Sequence, residues 1–137
     1  MKYITGLFAL NIPNSLNTSG DWHTSGLDWS KVKEVNSSDS ILKDWGIEQG
    51  KEIPEHMGLF NVANDLRAIL DIMLKGDFKI LKGFRNDWVD TDEYNKVFFE
   101  KVWIIRDLVD FERLDNLMSK EFMYEWDKFK EVKEQGG

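Results

Sequence analysis

The chain contains no cysteine. That excludes a disulfide framework, a thiolate zinc site, an iron–sulfur cluster and a cysteine nucleophile. Proline is nearly missing too: the only two are Pro13 and Pro54, so nothing beyond Pro54 forbids long helices. Positive charge is in deficit, with 18 basic against 25 acidic residues, a net charge of −7 and a pI near 4.8. Such a balance argues against a general polyanion binder. Long apolar runs are lacking as well. The stretch Ile4 to Leu10 is too short for a signal-peptide core or a membrane span. The expectation is a soluble, cytoplasmic protein, and the missing cysteines suit a reducing compartment.

What is present begins with length. At 137 residues the chain fits a single domain over 1–137, large enough to bury about two thirds of its unfolded surface without a staple. Composition shifts near residue 60. Residues 1–59 are rich in Ser, Asn, Thr and Gly, hold both prolines and have no Arg; residues 60–137 hold 13 of the cations and 17 of the acids. No acidic tail accounts for the net charge. The first part reads as strand- and loop-rich, and 60–134 as helical.

Periodicity places the helices. Asn61 is expected to cap a helix with Val62, Leu66, Ile69, Leu70 and Met73 inward, ending at Lys75-Gly76. A short helical turn is expected over 77–82, before Gly83. Asp90 or Thr91 caps the next helix, Asp90 and Glu93 having capping-box spacing, with Tyr94, Val97, Phe98, Val102, Ile105 and Leu108 inward. Asp110 starts another, burying Phe111, Leu114, Leu117 and Met118. Phe122, Met123, Trp126, Phe129 and Val132 continue its apolar face, and the sequence leaves open whether 110–134 is one helix or two. From Lys133 the chain should fray.

In the first part, Lys2 to Leu10 reads as a strand. Leu27 to Val35 reads as extended, and Ile41 to Ile47 as a further short strand or helical turn. Asn11 to Ser25 has no regular pattern, and irregular segments of that length tend to be functional. The fold class expected is α+β: a small N-terminal antiparallel sheet with irregular loops, packed on a C-terminal layer of three to four helices.

Chemistry-bearing residues are few. There is no phosphate loop, no dinucleotide fingerprint, no nucleophile elbow and no zincin motif. The densest polar cluster is Thr18 to Ser25, in which Asp21 could orient His23 as a general acid or base. With His56 and Arg67 it makes the candidate catalytic set for a small enzyme acting on a nucleotide or nucleic acid. His23 and His56 with Asp21 and Glu55 lack ligand spacing, so neither metal nor cofactor is expected. Lys75, Lys79, Lys82 and Arg85, interleaved with Phe78 and Phe84, form a candidate nucleic-acid strip, interrupted by Asp77 and Asp87.

The leading candidate site is acidic and aromatic. Four of the six tryptophans directly follow an aspartate, at Trp22, Trp29, Trp45 and Trp88. Each pair reads either as a turn pinned by an inward ring or as an interface anchor flanked by charge that selects a basic partner. The second reading assigns Asp21, Trp22, His23, Asp28, Trp29, Asp44 and Trp45 to partner binding. The protein is then a non-enzymatic inhibitor of a basic, nucleic-acid-acting protein.

Residues Met1 to Gly6, Ala9-Leu10-Asn11, Leu16, Thr18, Gly20-Asp21-Trp22-His23 and Trp29 resemble the opening of a family of small uncharacterised bacterial proteins. Val62-Ala63-Asn64, Arg67-Ala68 and Leu70-Asp71 extend the resemblance over most of the chain. That family is associated with mobile elements and with toxin–antitoxin-like or defence-related gene neighbourhoods. The resemblance implies such a setting and an antitoxin-like role, and it implies no catalytic residue.

Overall fold

The structure is a computed structural model that describes residues 1–16, 27–87 and 91–136. It is α+β, with short antiparallel strand pairs in the N-terminal part and a bundle of helices in the C-terminal part. The chain divides into two compact units, Met1–Asp71 and Ile72–Gly137.

In the first unit, β1 (Lys2–Tyr3) pairs antiparallel with β2 (Val35–Asn36), and β3 (Ile47–Lys51) with β4 (Phe60–Ala63). A parallel bridge between Ile4 and Val62 joins the two pairs. The extended reading of Lys2 to Leu10 is corrected here: β1 stops after two residues, and α1 (Gly6–Leu10) follows from an extended Thr5. A short apolar run does not distinguish strand from helix by period. Ala9 and Leu10 are buried by that turn of helix. Trp29–Lys31 forms a 3-10 turn rather than a strand.

The first long helix, α2 (Asp65–Lys75), begins later than Asn61. Asn61 and Val62 belong to β4, and it is the Asn64 side chain that accepts the Arg67 amide at 2.9 Å, as an N-cap does. Leu66, Ile69, Leu70 and Met73 are buried as their spacing requires.

The second unit starts within α2 and continues through 3-10 turns at Phe78–Leu81 and Phe84–Asp87. Thr91 caps α3 (Asp92–Ile105) by accepting the Tyr94 amide. Asp90 lies outside the described residues. The buried stripe of α3 is Asn95, Phe98, Phe99, Val102 and Ile105, so Val97 and Leu108 face outward, contrary to expectation. Asp110 caps α4 (Phe111–Phe122), as its position implied, although Phe111 is exposed. The open question over 110–134 resolves as two helices. Met123 takes φ 51°, ψ −122°, ends α4 and starts α5 (Tyr124–Gln135). The fraying expected from Lys133 does not occur before Gln135.

The core of this unit is aromatic. Phe84, Phe98, Phe99 and Phe122 meet edge-on or tilted with centroids 4.9–6.1 Å apart. Trp126 stacks on Phe129 at 5.6 Å. Such ring pairs contribute about 0.5–1.5 kcal/mol each beyond their buried area.

Candidate functional site

In the first unit the polar residues converge on Arg67, which has no exposed surface. Helix α2 places Asp71 one turn on, and Nε donates to Asp71 Oδ1 at 3.0 Å. Nη1 donates to the carbonyls of Lys43 (2.7 Å) and Trp45 (2.5 Å), and Nη2 to the Tyr3 hydroxyl at 3.0 Å. Tyr3 and Thr5 both donate to Asp71 Oδ2 at 2.6 Å. Burial pushes the Tyr3 hydroxyl well above the ordinary tyrosine range, and its bond to the Asp71 carboxylate pushes it the same way. Both partners of the ion pair thus have neutral or charged neighbours that satisfy them. The arrangement is closed to solvent at Arg67 and ties β1, the 42–46 turn and α2 together.

That geometry assigns Arg67 a structural task and separates it from the catalytic set. His56 is exposed, donates through Nε2 to the Trp29 carbonyl (2.8 Å) and meets the Phe60 ring edge-on. Opposite a carbonyl oxygen Nε2 must be the donor, which sets the tautomer of the neutral ring. His56 and Arg67 share no hydrogen bond among the described residues. Asp21 and His23 lie outside the described residues. Among the described residues, no three His, Asp or Glu side chains gather as a metal would require.

The Asp-Trp pairs resolve individually. Asp28 accepts from the Ser30 amide (3.0 Å) and hydroxyl (2.6 Å), which hold its carboxyl below the usual carboxylate range and cap the 3-10 turn. Trp29 is 9% exposed and packs edge-on against Phe8 at 5.1 Å, so its ring serves the interior. Asp44 accepts the Ser37 hydroxyl and lies 3.8 Å from the Met1 amino group. Trp45 is half-buried, and its carbonyl belongs to the Arg67 cage. Trp22 and Trp88 lie outside the described residues. Among the described residues of the set, Asp28 and Asp44 are the exposed members, Asp44 at 61%.

The lysine strip is not a stacking platform. Phe78 and Phe84 are both buried. Arg85 is engaged: Nη1 donates to the Glu121 carbonyl at 3.0 Å, Nη2 pairs with Glu125 at 3.2 Å, and the guanidinium lies 4.8 Å from the Phe122 ring.

The second unit carries a wide groove between α3 and α5, of about 970 Å³. Phe99, Trp103 and Phe129 supply rings from the two helices, Phe129 meeting Phe99 tilted at 5.5 Å and Trp103 edge-on at 6.1 Å. Tyr124 and Val132 line it while remaining 71% and 61% exposed. Its rim is charged: Lys133 bridges to Glu100 at 2.8 Å, and Asp92, Lys96, Glu125 and Lys128 complete it. Periodicity placed Phe129 and Val132 on a core face shared with α4. The break at Met123 turns α5, and Val132 emerges on the groove. A signal was available in the sequence: α5 has more large apolar residues than its single buried position, Trp126, can use.

Comparison with protein-family models, with curated proteins and with solved structures returns no match for this chain.

Proposed function

We propose that the protein is a non-enzymatic protein-binding module whose partner is basic and inserts an apolar face into the α3–α5 groove. The observation that carries this reading is the apolar lining of that groove, with Tyr124 and Val132 exposed beside half-buried Trp103 and Phe129 and buried Phe99. Grooves lined in this way receive amphipathic helices, and Tyr and Trp are the side chains on which interface energy concentrates. The charged rim suits a partner with polar flanks around an apolar stripe. The excess of 25 acids over 18 cations favours encounter with a basic chain. A nucleic-acid-acting protein has such a surface, and the resemblance of the opening residues to a family from toxin–antitoxin-like settings supports an inhibitory, antitoxin-like role.

The test is site-resolved. A photo-crosslinking residue at Val132, in the native host, identifies the partner. Binding of that purified partner to Tyr124→Ala/Val132→Ser should then weaken at least about tenfold, the loss of one interface anchor. Asp28→Asn and Asp44→Asn, made separately, measure any contribution of the acidic pairs. Undiminished binding by the groove variant overturns the assignment.

A further inference from the structure

A second concavity in the Ile72–Gly137 unit has the opposite character. It is a cleft of about 200 Å³ lined by Phe78, Lys79, Lys82, Arg113, Asn116, Leu117 and Lys120. Arg113, Asn116, Leu117 and Lys120 follow one another at three, four and seven residues along α4, so they share one helix face. Lys79 and Lys82 are three apart at the 3-10 turn Phe78–Leu81, whose period of three brings them to one edge. Two cationic edges therefore face each other across a floor of buried Phe78 and Leu117.

Among the described residues no carboxylate lines the cleft, in a chain with 25 acids. None of the four cations forms an ion pair among the described residues, whereas Arg85, Lys130 and Lys133 of the same unit all do. Gathering like charges without counter-charges is unfavourable. Arg113 lies over the Phe78 ring at 5.2 Å, which restrains the guanidinium without using its hydrogen-bond donors. Asn116 adds a neutral amide donor.

We propose that this cleft binds the phosphate chain of a small ligand, a di- or triphosphate. Four cations outmatch a single phosphate group and suit a chain of two or three. The volume lies below the about 300–1,000 Å³ typical of drug-sized ligand sites, which fits a compact anion. Phe78 is buried and covered by Arg113, so among the described residues that line the cleft no ring is free to stack a base, and a nucleic-acid strand gains little beyond phosphate contact. The site is independent of the α3–α5 groove and shares no lining residue with it.

Calorimetric titration of the 137-residue chain with inorganic triphosphate tests the proposal, with orthophosphate, adenosine triphosphate and a single-stranded oligonucleotide as further arms. Saturable one-to-one binding of triphosphate, tighter than orthophosphate, is expected. Comparable affinity for adenosine triphosphate would place a nucleotide's phosphate tail in the cleft, and a clear preference for the inorganic chain would place free polyphosphate there. Lys82→Gln/Arg113→Gln should weaken binding at least about tenfold, since charge-assisted contacts are lost. These residues are exposed, and circular dichroism confirms that the variant folds. Lys75→Gln, outside the cleft, should leave affinity unchanged. Absence of saturable binding, equal weakening by Lys75→Gln, or oligonucleotide binding that outcompetes triphosphate and strengthens with length would each overturn the proposal.

Discussion

Gly46 lies directly against Arg67: a Cβ added to Gly46 would stand 2.7 Å from Arg67 Cβ, closer than real side chains approach. Gly46 also has φ +76°, a conformation that a side chain resists. The turn before β3 is thus shaped around the helix that carries the buried guanidinium. Gly46→Ala should lower unfolding free energy by about 2–4 kcal/mol, left-handed strain and overpacking acting together. Denaturant titration of both proteins would check this, and a loss under half a unit would show that the turn yields freely.

Arg67→Met removes the partner of Asp71 and the donor to the Lys43 and Trp45 carbonyls. Breaking one side of a buried pair costs about 3–5 kcal/mol. The chain should lose most of its native population, with a lowered denaturation midpoint and faster exchange of the 42–46 amides. A near-native midpoint would mean that water replaces the guanidinium.

Tyr3 gives an alkaline signature. The folded state favours its neutral hydroxyl, so this contribution to stability is whole below the ordinary tyrosine pKa of about 10 and declines as pH rises beyond it. Absorbance titration should show one of the three tyrosines ionising only as the chain unfolds. Tyr3→Phe should abolish that late step. Full reversible ionisation of all three, with native circular dichroism retained, would contradict the buried network.

Asp115 gives the acidic counterpart. Burial opposes its charge, but hydrogen bonds from Lys130 and from the Trp126 indole (2.8 Å), with the Lys130 charge at 2.7 Å, hold its carboxyl below the usual range. A depressed carboxyl stabilises the folded state above its unfolded pKa of about 3.9, and that stability is lost as pH falls through the folded value. Thermal melts of wild type and Asp115→Asn should therefore differ near neutrality and converge in acid. A gap independent of pH would assign the effect to shape alone.

Met123 carries the helix break at φ 51°, with its side chain 65% exposed. Glycine adopts this conformation without the Cβ penalty. Met123→Gly should raise stability by up to about 1 kcal/mol, read as a higher denaturation midpoint. A fall would show that the methionine side chain contributes packing that outweighs the strain.

The helices were legible because each repeats a 3.6-residue pattern for several turns between recognisable caps. Asp110 and Thr91 cap where their side-chain chemistry allows, and Leu66 to Met73 fall on one face. The N-terminal part was not legible to that depth. Strands of two to five residues contain too few repeats to separate them from turns, as Lys2 to Leu10 shows. The structural task of Arg67 is not legible in the sequence because its carbonyl acceptors at Lys43 and Trp45 lie 24 and 22 residues away on a turn whose shape no local pattern encodes. The groove is not legible in the sequence for a related reason. A positive φ at a methionine carries no sequence mark, yet it decides which side of α5 the rings of Tyr124 and Phe129 occupy.

The guanidinium of Arg67 has a consequence for motion. Its donors are shared between the helix that bears it and the carbonyls of a turn with Lys43 and Gly46 in left-handed conformations. Releasing the turn alone would strand a charged group in a dry interior, and releasing the helix alone would strand the carbonyls. The two segments must open and close as one cooperative piece, so a loop far from α2 in sequence inherits the rigidity of a helix.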